Sequence, residues 1–341
     1  MISSTRSSAF LSDWKMKLLF DRYQRVINYL RISITDRCNL RCRYCQDGRM
    51  KLLPHSEILT YEEILRIVKV FTGNGIRKVR LTGGEPLVRR GVVDFIKRLT
   101  EIEGLDDISL TTNGVLLREF AAPLKKAGLR RVNVSLDTLR RERFAYITRR
   151  DHFNDVWEGI EKALRVGLFP VKVNVVVIRG FNDDEIEDFA RLSMEHPLGV
   201  RFIELMPFGG EWDERKVVPT SEIEERLRML GDLIPLPRME YDGPARRYRI
   251  RGGRGEVGFI SPMSAHFCKS CNRLRLTPEG KIRTCLFSDD EVDLRQILRS
   301  GAEDEAIEGA LKEALKRKPE SPPLEAFQFK KCQRGMFSIG G

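Results

Sequence analysis

The sequence predicts an α/β fold: a partial (β/α)6 TIM-like barrel followed by a smaller C-terminal domain. Two observations carry this reading. From Tyr29 to about Met206, short β-rich runs alternate with longer amphipathic ones, the pattern of repeated βα units around a parallel sheet. After Met206 the alternation lapses into the Pro- and Gly-containing stretch "MPFGGEWDERKVVP", then one helix-like run and short β-like pieces through Ile260. A chain of 341 residues is long enough for a barrel-sized domain and a companion. The expected divisions are residues 1–20 as a disordered N-terminal extension, 21–210 as the partial barrel and 211–341 as the C-terminal domain.

Six strands are expected in chain order: "YLRISIT", "KVRLTGG", "DISLTTN", "RVNVSLD", "VKVNVVVI" and "VRFIELM". The first intervening helix announces its start, because Thr60 followed by Glu63 forms a capping box, after which Ile64, Leu65, Val68 and Phe71 share one face. Gly73 and Gly75 end it. Further helices are expected after "ITRRDH" and within "RGFNDDEIEDFARL", where Asn182 or Asp183 is the expected N-cap. Six units are too few to close an eightfold barrel, so an open barrel with a wide mouth is expected. Near the C-terminus, "EDEAIEGALKEALKRKP" reads as a helix whose i,i+4 charge pairs suit an exposed surface.

Composition narrows the function. An apolar fraction of 41% and a charged fraction of 32% are those of a soluble globular chain, and no apolar run approaches the length of a membrane span. The N-terminus has no apolar h-region or cleavage site, so no secretory signal is read and a cytoplasmic location is expected. Lys and Arg total 60 against 49 Asp and Glu, a net charge of +11 that suits a polyanion. The basic residues are dispersed, and no aromatic-interleaved stripe marks a nucleic-acid platform. No nucleic-acid or membrane partner is expected. Seven cysteines, two tight groups plus Cys332, read poorly as disulfides and well as metal ligands in a reducing compartment.

The first group, in "SITDRCNLRCRYCQDG", presents Cys38, Cys42 and Cys45 in a polar loop just after the first strand. Parallel barrels build their sites from such loops. A cubane iron–sulfur cluster takes four ligands, so three cysteines leave one iron open to another ligand. "CNLRCRYC" resembles the signature of the radical S-adenosylmethionine enzymes, in which S-adenosylmethionine chelates that open iron. A second resemblance is "LTGGEP", residues 81–86, which this superfamily uses to hold the methionyl amine. Glycines there allow close backbone approach.

The second group, "FCKSCNRLRLTPEGKIRTC", contains Cys268, Cys271 and Cys285. Spacing alone leaves zinc open, with His266 or Cys332 as fourth ligand. If the segment is extended, Arg273 and Arg275 alternate onto one face and offer two guanidiniums to a polyphosphate. Two cysteine trios, this Asn-Arg-x-Arg segment and a C-terminal Gly-Gly together resemble the GTP 3′,8-cyclase family, from about Asp21 to Gly341.

The resemblance implies a radical S-adenosylmethionine lyase with two 4Fe–4S clusters, converting GTP to (8S)-3′,8-cyclo-7,8-dihydro-GTP in molybdenum cofactor biosynthesis. It implies that Cys38, Cys42 and Cys45 hold the first cluster and that Tyr44, Gly84, Ser135 and Met206 contact S-adenosylmethionine. Cys268, Cys271 and Cys285 then hold a second cluster that engages guanine, and Arg31, Arg80, Thr111, Lys172, Arg201, Arg273 and Arg275 contact GTP. Gly340 and Gly341 form a catalytic tail. In the implied reaction, cleaved S-adenosylmethionine yields a 5′-deoxyadenosyl radical that takes hydrogen from C3′ of GTP, and the C3′ radical adds to guanine C8. An external electron donor and a cyclic pyranopterin monophosphate synthase are the implied partners, and a homodimer is compatible with the reading. The chain departs from the family in having Gln46-Asp47 where Met-Pro is usual, and residues 1–15 precede the family's usual start, with Met16 an alternative one. Two other readings compete: a radical S-adenosylmethionine peptide maturase with an auxiliary cluster, and a basic zinc-binding module that contacts nucleic acid through "CKSCNRLRL".

Overall fold

A computed structural model of the chain describes residues 17–45, 52–208, 213–322 and 334–339. Residues 1–16, Gln46-Asp47, Cys332 and the terminal Gly340 and Gly341 lie outside the described residues.

The six expected strands are present as β1 (Tyr29–Ser33), β2 (Lys78–Thr82), β3 (Asp107–Thr112), β4 (Arg131–Ser135), β5 (Val171–Val177) and β6 (Gly199–Glu204), each parallel to the next. Between and beside them run α1 (Tyr61–Gly73), α2 (Val92–Thr100), α3 (Leu117–Lys126), α4 (Arg141–Thr148), α5 (Phe153–Arg165) and α6 (Ile186–Glu195). The chain continues through α7 (Thr220–Arg228), β7 (Leu233–Pro235), β8 (Arg246–Ile250), β9 (Glu256–Ile260), β10 (Arg273–Leu276), β11 (Lys281–Arg283) and β12 (Glu291–Asp293). It ends in α8 (Arg295–Arg299), α9 (Asp304–Arg317) and the short α10 (Met336–Ile339).

The parallel run is longer than six strands. β9 adds parallel to β6, and β10 adds parallel to β1 with Tyr29 opposite Arg273 and Arg31 opposite Arg275. One continuous sheet results, in the order β12-β11-β10-β1-β2-β3-β4-β5-β6-β9-β8-β7, so it crosses the expected division at residue 210 without a break. Both added strands are short and contain glycine or arginine, so their apolar periodicity is weak in the sequence.

Strand alternation sorts the residues. Leu30, Ile32, Val79, Leu81, Leu110, Val132, Val134, Val173, Val200 and Phe202 are fully buried and join the helices' apolar faces in one core. The opposite face is polar, the reverse of the branched-aliphatic filling usual inside a parallel barrel. The interior can therefore be a site rather than a packed core. α1 has the expected capping box: Glu63 N–H donates to Thr60 Oγ1 at 3.1 Å, and Thr60 N–H donates to Glu63 Oε2 at 2.7 Å. The expected cap at Asn182 or Asp183 does not form on α6. Asn182 is buried, accepts from Ile178 N–H, and donates to the carbonyls of Asp137 and Val176, so its amide is committed to fixing the β5–α6 loop. α9 shows the expected pairs Glu308–Lys312 and Glu313–Arg317, but its other face buries Ile307, Leu311 and Leu315. Among the described residues no helix is long and apolar enough to cross a membrane.

Candidate active site

The loop carrying Cys38, Cys42 and Cys45 leaves the C-terminal end of β1 and is pinned on both sides. Arg41 N–H and Arg43 N–H donate to the carbonyls of Thr148 and Ile147 at the end of α4, at 3.0 and 2.9 Å. On the other side, Gly84 N–H donates to Thr35 O at 2.7 Å and Glu85 N–H to Arg37 O at 2.8 Å. This approach explains the two glycines of "LTGGEP". A Cβ on Gly83 would stand 2.7 Å from Thr35 O, and one on Gly84 only 2.3 Å from Arg37 O. The close backbone here is the cysteine loop itself.

Three buried or half-buried residues that sequence reasoning missed support this loop. Glu85 is fully buried and accepts from Thr112 Oγ1, Asn113 N–H and Leu87 N–H. Burial pushes its carboxyl up to about 7. Asn113 passes the support on, donating to Asn39 Oδ1 at 2.7 Å and lying 3.7 Å from Cys38 Sγ. Asp137 accepts from Tyr44 OH at 2.7 Å and from Val176 N–H at 2.9 Å, and burial raises its carboxyl to about 6. In the sequence Glu85 lies within "LTGGEP", and Asn113 and Asp137 close the strands "DISLTTN" and "RVNVSLD", positions that by themselves assign them no role. Burial also raises the thiols of Cys38 and Cys42 and takes Cys45 to about 12. Three thiols in one dry loop resist losing their protons unless a cationic core compensates, as an iron–sulfur core does.

The second trio is assembled from two places. Cys268 and Cys271 bracket a single turn closed by Cys271 N–H donating to Cys268 O at 3.0 Å, and Cys285 follows β11. Arg25 donates to Cys268 O at 2.9 Å and is charge-matched by Asp21 at 2.6 Å. Burial would raise the Cys271 thiol, but Arg273 and Lys318 outweigh it and bring the thiol down to about 6. The six described cysteines are free and half-buried. Among the described residues no three His, Cys, Asp or Glu side chains converge as a single metal ion requires. His266 therefore does not complete a compact zinc site with the trio. Three cysteines, each able to take a different iron, suit a cluster.

Both trios open on one cavity of about 310 Å³. Tyr44, Gly84, Ser135 and Met206 line it beside the first trio's Cys38, Cys42 and Cys45. Arg31, Arg80, Thr111, Arg201, Arg273 and Arg275 line it too, on the polar face of the sheet. Lys172 is the exception: it lies one register row from Arg201, below the wall, with its ammonium 3.5 Å from Glu256. β10 is extended as expected, and Arg273 and Arg275 share its inner face.

Electrostatics set this face apart. Arg80 and Arg201 are buried, and the Nε of each has no hydrogen-bond partner among the described residues; Thr111 Oγ1 and the Asn133 amide are in the same condition. Burial pulls the Arg31 and Arg201 guanidiniums down to about 10, and neighbouring cations add to the effect. Like charges about 4 Å apart repel by about 4 kcal/mol at an effective dielectric of about 20. A cluster of this kind is stabilised by an anion bearing several charges.

The tail closes one side. Arg334 is held by Glu279 and Glu291, and Phe337 and Ile339 of α10 are buried. Arg275 donates to Ile339 O at 3.4 Å, and Met336 and Phe337 line the cavity. Opposite, Glu204 at the end of β6 accepts from the N–H groups of Thr220, Met263 and Ser264, tying the loop that leads to the second trio. Sequence reasoning did not single out Glu204, which has no motif around it.

The Radical SAM superfamily model matches residues 32–193, and the Molybdenum Cofactor Synthesis C model matches residues 198–322. A GTP 3′,8-cyclase of Moorella thermoacetica is 52% identical over 323 residues, 94% of this chain and 99% of that one. A GTP 3′,8-cyclase of Thermodesulfovibrio yellowstonii is 52% identical over 325 residues, again 94% of this chain and 99% of that one. Among solved structures, Streptococcus suis SuiB bound to S-adenosylmethionine superposes with a TM-score of 0.58 at 13% identity, covering 87% of this chain and 73% of that one. The last is a likeness of fold. With half of its residues identical across nearly the whole length of these relatives, the chain belongs to the GTP 3′,8-cyclase family of radical S-adenosylmethionine enzymes.

Proposed function

We propose that this chain converts GTP to (8S)-3′,8-cyclo-7,8-dihydro-GTP, the first step of molybdenum cofactor biosynthesis. The observation that carries the reading is the shared cavity: two cysteine trios face a cationic wall of the buried Arg80, Arg201 and Arg275 and the half-buried Arg31 and Arg273. When bound, the two 4Fe–4S clusters and S-adenosylmethionine supply the one-electron chemistry that generates a primary carbon radical. The chain's own work is placement. The arginines, Lys172 and Thr111 take the triphosphate and hold the ribose in one pose, because a fixed near-attack geometry is what makes a reactive radical selective. Tyr44, Gly84, Ser135 and Met206 shape the pocket for S-adenosylmethionine beside the first trio. Gly340 and Gly341 take the role of a catalytic tail in this reading. In this reading the division at residue 210 separates roles rather than the sheet: residues 21–210 supply the first trio and β1 to β6, and 211–341 supply β9, β10 and the second trio.

The finer reading includes an external reductant, transfer of the product to a cyclic pyranopterin monophosphate synthase, action in the cytoplasm and a homodimeric state. The test is anaerobic incubation of the reconstituted chain with GTP, S-adenosylmethionine and dithionite, followed by product analysis. The cyclised nucleotide is expected. Cleavage of S-adenosylmethionine with GTP left intact would favour a peptide maturase.

A further inference from the structure

Lys318 stands just past α9 and is 2% exposed, a rare position for an ammonium. An ammonium carries three N–H donors. Here it meets three acceptors: Thr284 O at 2.7 Å, Arg273 O at 2.9 Å and Cys271 Sγ at 3.6 Å. All three belong to the second trio's segments, since Arg273 follows Cys271 by two residues and Thr284 immediately precedes Cys285. Among the described residues no carboxylate pairs with Lys318, whereas nearby Arg25 already has Asp21. A buried ammonium without a counter-ion costs several kcal/mol, so the charge opposite Lys318 has to come from the thiolates.

Among the described residues no ammonium contacts a sulfur of the first trio, although Arg41 donates to Cys38 O at 2.6 Å. The donors to Cys38 Sγ are neutral, Leu40 N–H at 3.4 Å and the Asn113 amide at 3.7 Å, and the buried acids nearest that loop are Glu85 and Asp137. The groups on the sulfurs thus differ: an ammonium at Cys271, and neutral donors at Cys38, where Arg41 reaches the carbonyl instead. Reduction adds negative charge to a cluster, and a nearby cation or N–H···S contact favours the reduced form.

We propose that Lys318 is a positioning residue for the second cluster, clamping Cys271 to the backbone beside Cys285 and raising that cluster's reduction potential. This rests on the two-cluster reading above. It assigns to a residue outside both cysteine motifs the task of easing reduction of the substrate-side cluster.

The test uses the full chain reconstituted anaerobically as wild type, Lys318→Met and Lys318→Arg, each also with the first trio replaced by alanines so that only second-cluster signals remain. Iron per chain and a redox titration followed by electron paramagnetic resonance are the readouts. In Lys318→Met the reduced-to-oxidised ratio at fixed potential should fall at least tenfold, which is 59 mV for a one-electron couple. Lys318→Arg should stay within threefold of wild type. Loss of second-cluster iron in Lys318→Met but not in Lys318→Arg would also support the clamp. Equal potentials and iron in wild type and Lys318→Met would overturn the proposal, and so would equal iron loss in both variants. A wild-type chain that binds only about four irons would instead sink the two-cluster reading.

Discussion

The ammonium of Lys78 lies 4.2 Å from the centre of the Tyr29 ring, and the two residues are direct partners across the β1–β2 ladder. Lys78 also donates to Tyr241 O at 2.5 Å and stands 3.7 Å from the Asp107 carboxylate. Burial pulls it down to about 7, partly countered by Tyr29 and Asp107 and reinforced by Arg80 and Arg131. Lys172 is brought to about 7 in the same way, by burial and by Arg201, with Glu256 and Asp242 opposing. The floor of the cationic face thus holds two lysines poised to change charge near neutral pH.

Anion binding should raise both values, so above pH 7 GTP binding takes up protons and weakens as pH rises. The slope is up to about tenfold per pH unit for each lysine. The sign for folding is opposite. The unfolded lysines keep their protons to about pH 10.4, so between 7 and that value the unfolded chain binds more protons and ligand-free stability rises with pH. Calorimetry of GTP binding at pH 8 in buffers of different ionisation enthalpy should register close to two protons taken up. Lys78→Met and Lys172→Met should each remove up to one. A proton count of zero in the wild-type chain would show that neither lysine is linked to the nucleotide.

The glycine contacts make a sharper structural prediction. Gly84→Ala puts a methyl 2.3 Å from Arg37 O, where rigid backbone cannot yield. The variant should lose about half of its bound iron, with the second cluster retained. Gly83→Ala, 2.7 Å from Thr35 O, should show the same loss. Gly73→Ala at the end of α1 meets nothing within 4 Å and should keep its iron, gaining up to about 1 kcal/mol of helix propensity. Full iron content in Gly84→Ala would mean that the loop has another seat.

The two trios should separate functionally. Cys42→Ala removes a thiolate from the loop beside Tyr44 and Gly84, and should abolish S-adenosylmethionine cleavage. Cys271→Ala should leave uncoupled cleavage while stopping cyclisation. Measuring 5′-deoxyadenosine and cyclised nucleotide together decides the matter, because equal loss of both products in both variants would contradict separate roles.

Strong local periodicity explains what was legible in advance. The alternation of Leu30, Ile32 and their counterparts with polar partners marked β1 to β6, and Thr60 with Glu63 marked the start of α1. β9 falls among the short β-like pieces and β10 in the extended segment, but their parallel places beside β6 and β1 escaped, because a strand's place in a sheet depends on long-range pairing that a short run cannot announce. The cysteines and Arg273 were readable because spacing carries their chemistry. Glu85, Asp137, Glu204 and Lys318 were not, since each acts through backbone groups remote in sequence and becomes visible only when the chain has folded around it. Asn182 misled for a related reason: its local cap pattern lost to a buried network with Asp137.

The tail gives the last prediction. Arg334 grips Glu279 and Glu291, Phe337 and Ile339 are buried, and Arg275 reaches Ile339 O at 3.4 Å, so residues 334–339 form a hook seated in the cavity wall. Gly340 and Gly341 lie outside the described residues, and the tail role assigned to them suits residues without side chains. Deleting Gly340 and Gly341 should abolish cyclisation while iron content and S-adenosylmethionine binding stay at wild-type levels. Arg334→Ala, which loosens the hook without shortening it, should cost about 1.5–3 kcal/mol in transition-state stabilisation, a fall of roughly tenfold or more in kcat/KM for GTP. Removing residues 1–15 should change neither rate nor iron. The comparison is made at equal iron content, with the cyclised nucleotide as readout. Wild-type turnover after the tail deletion would reduce the Gly-Gly end to an ordinary terminus and leave α10 as a structural plug.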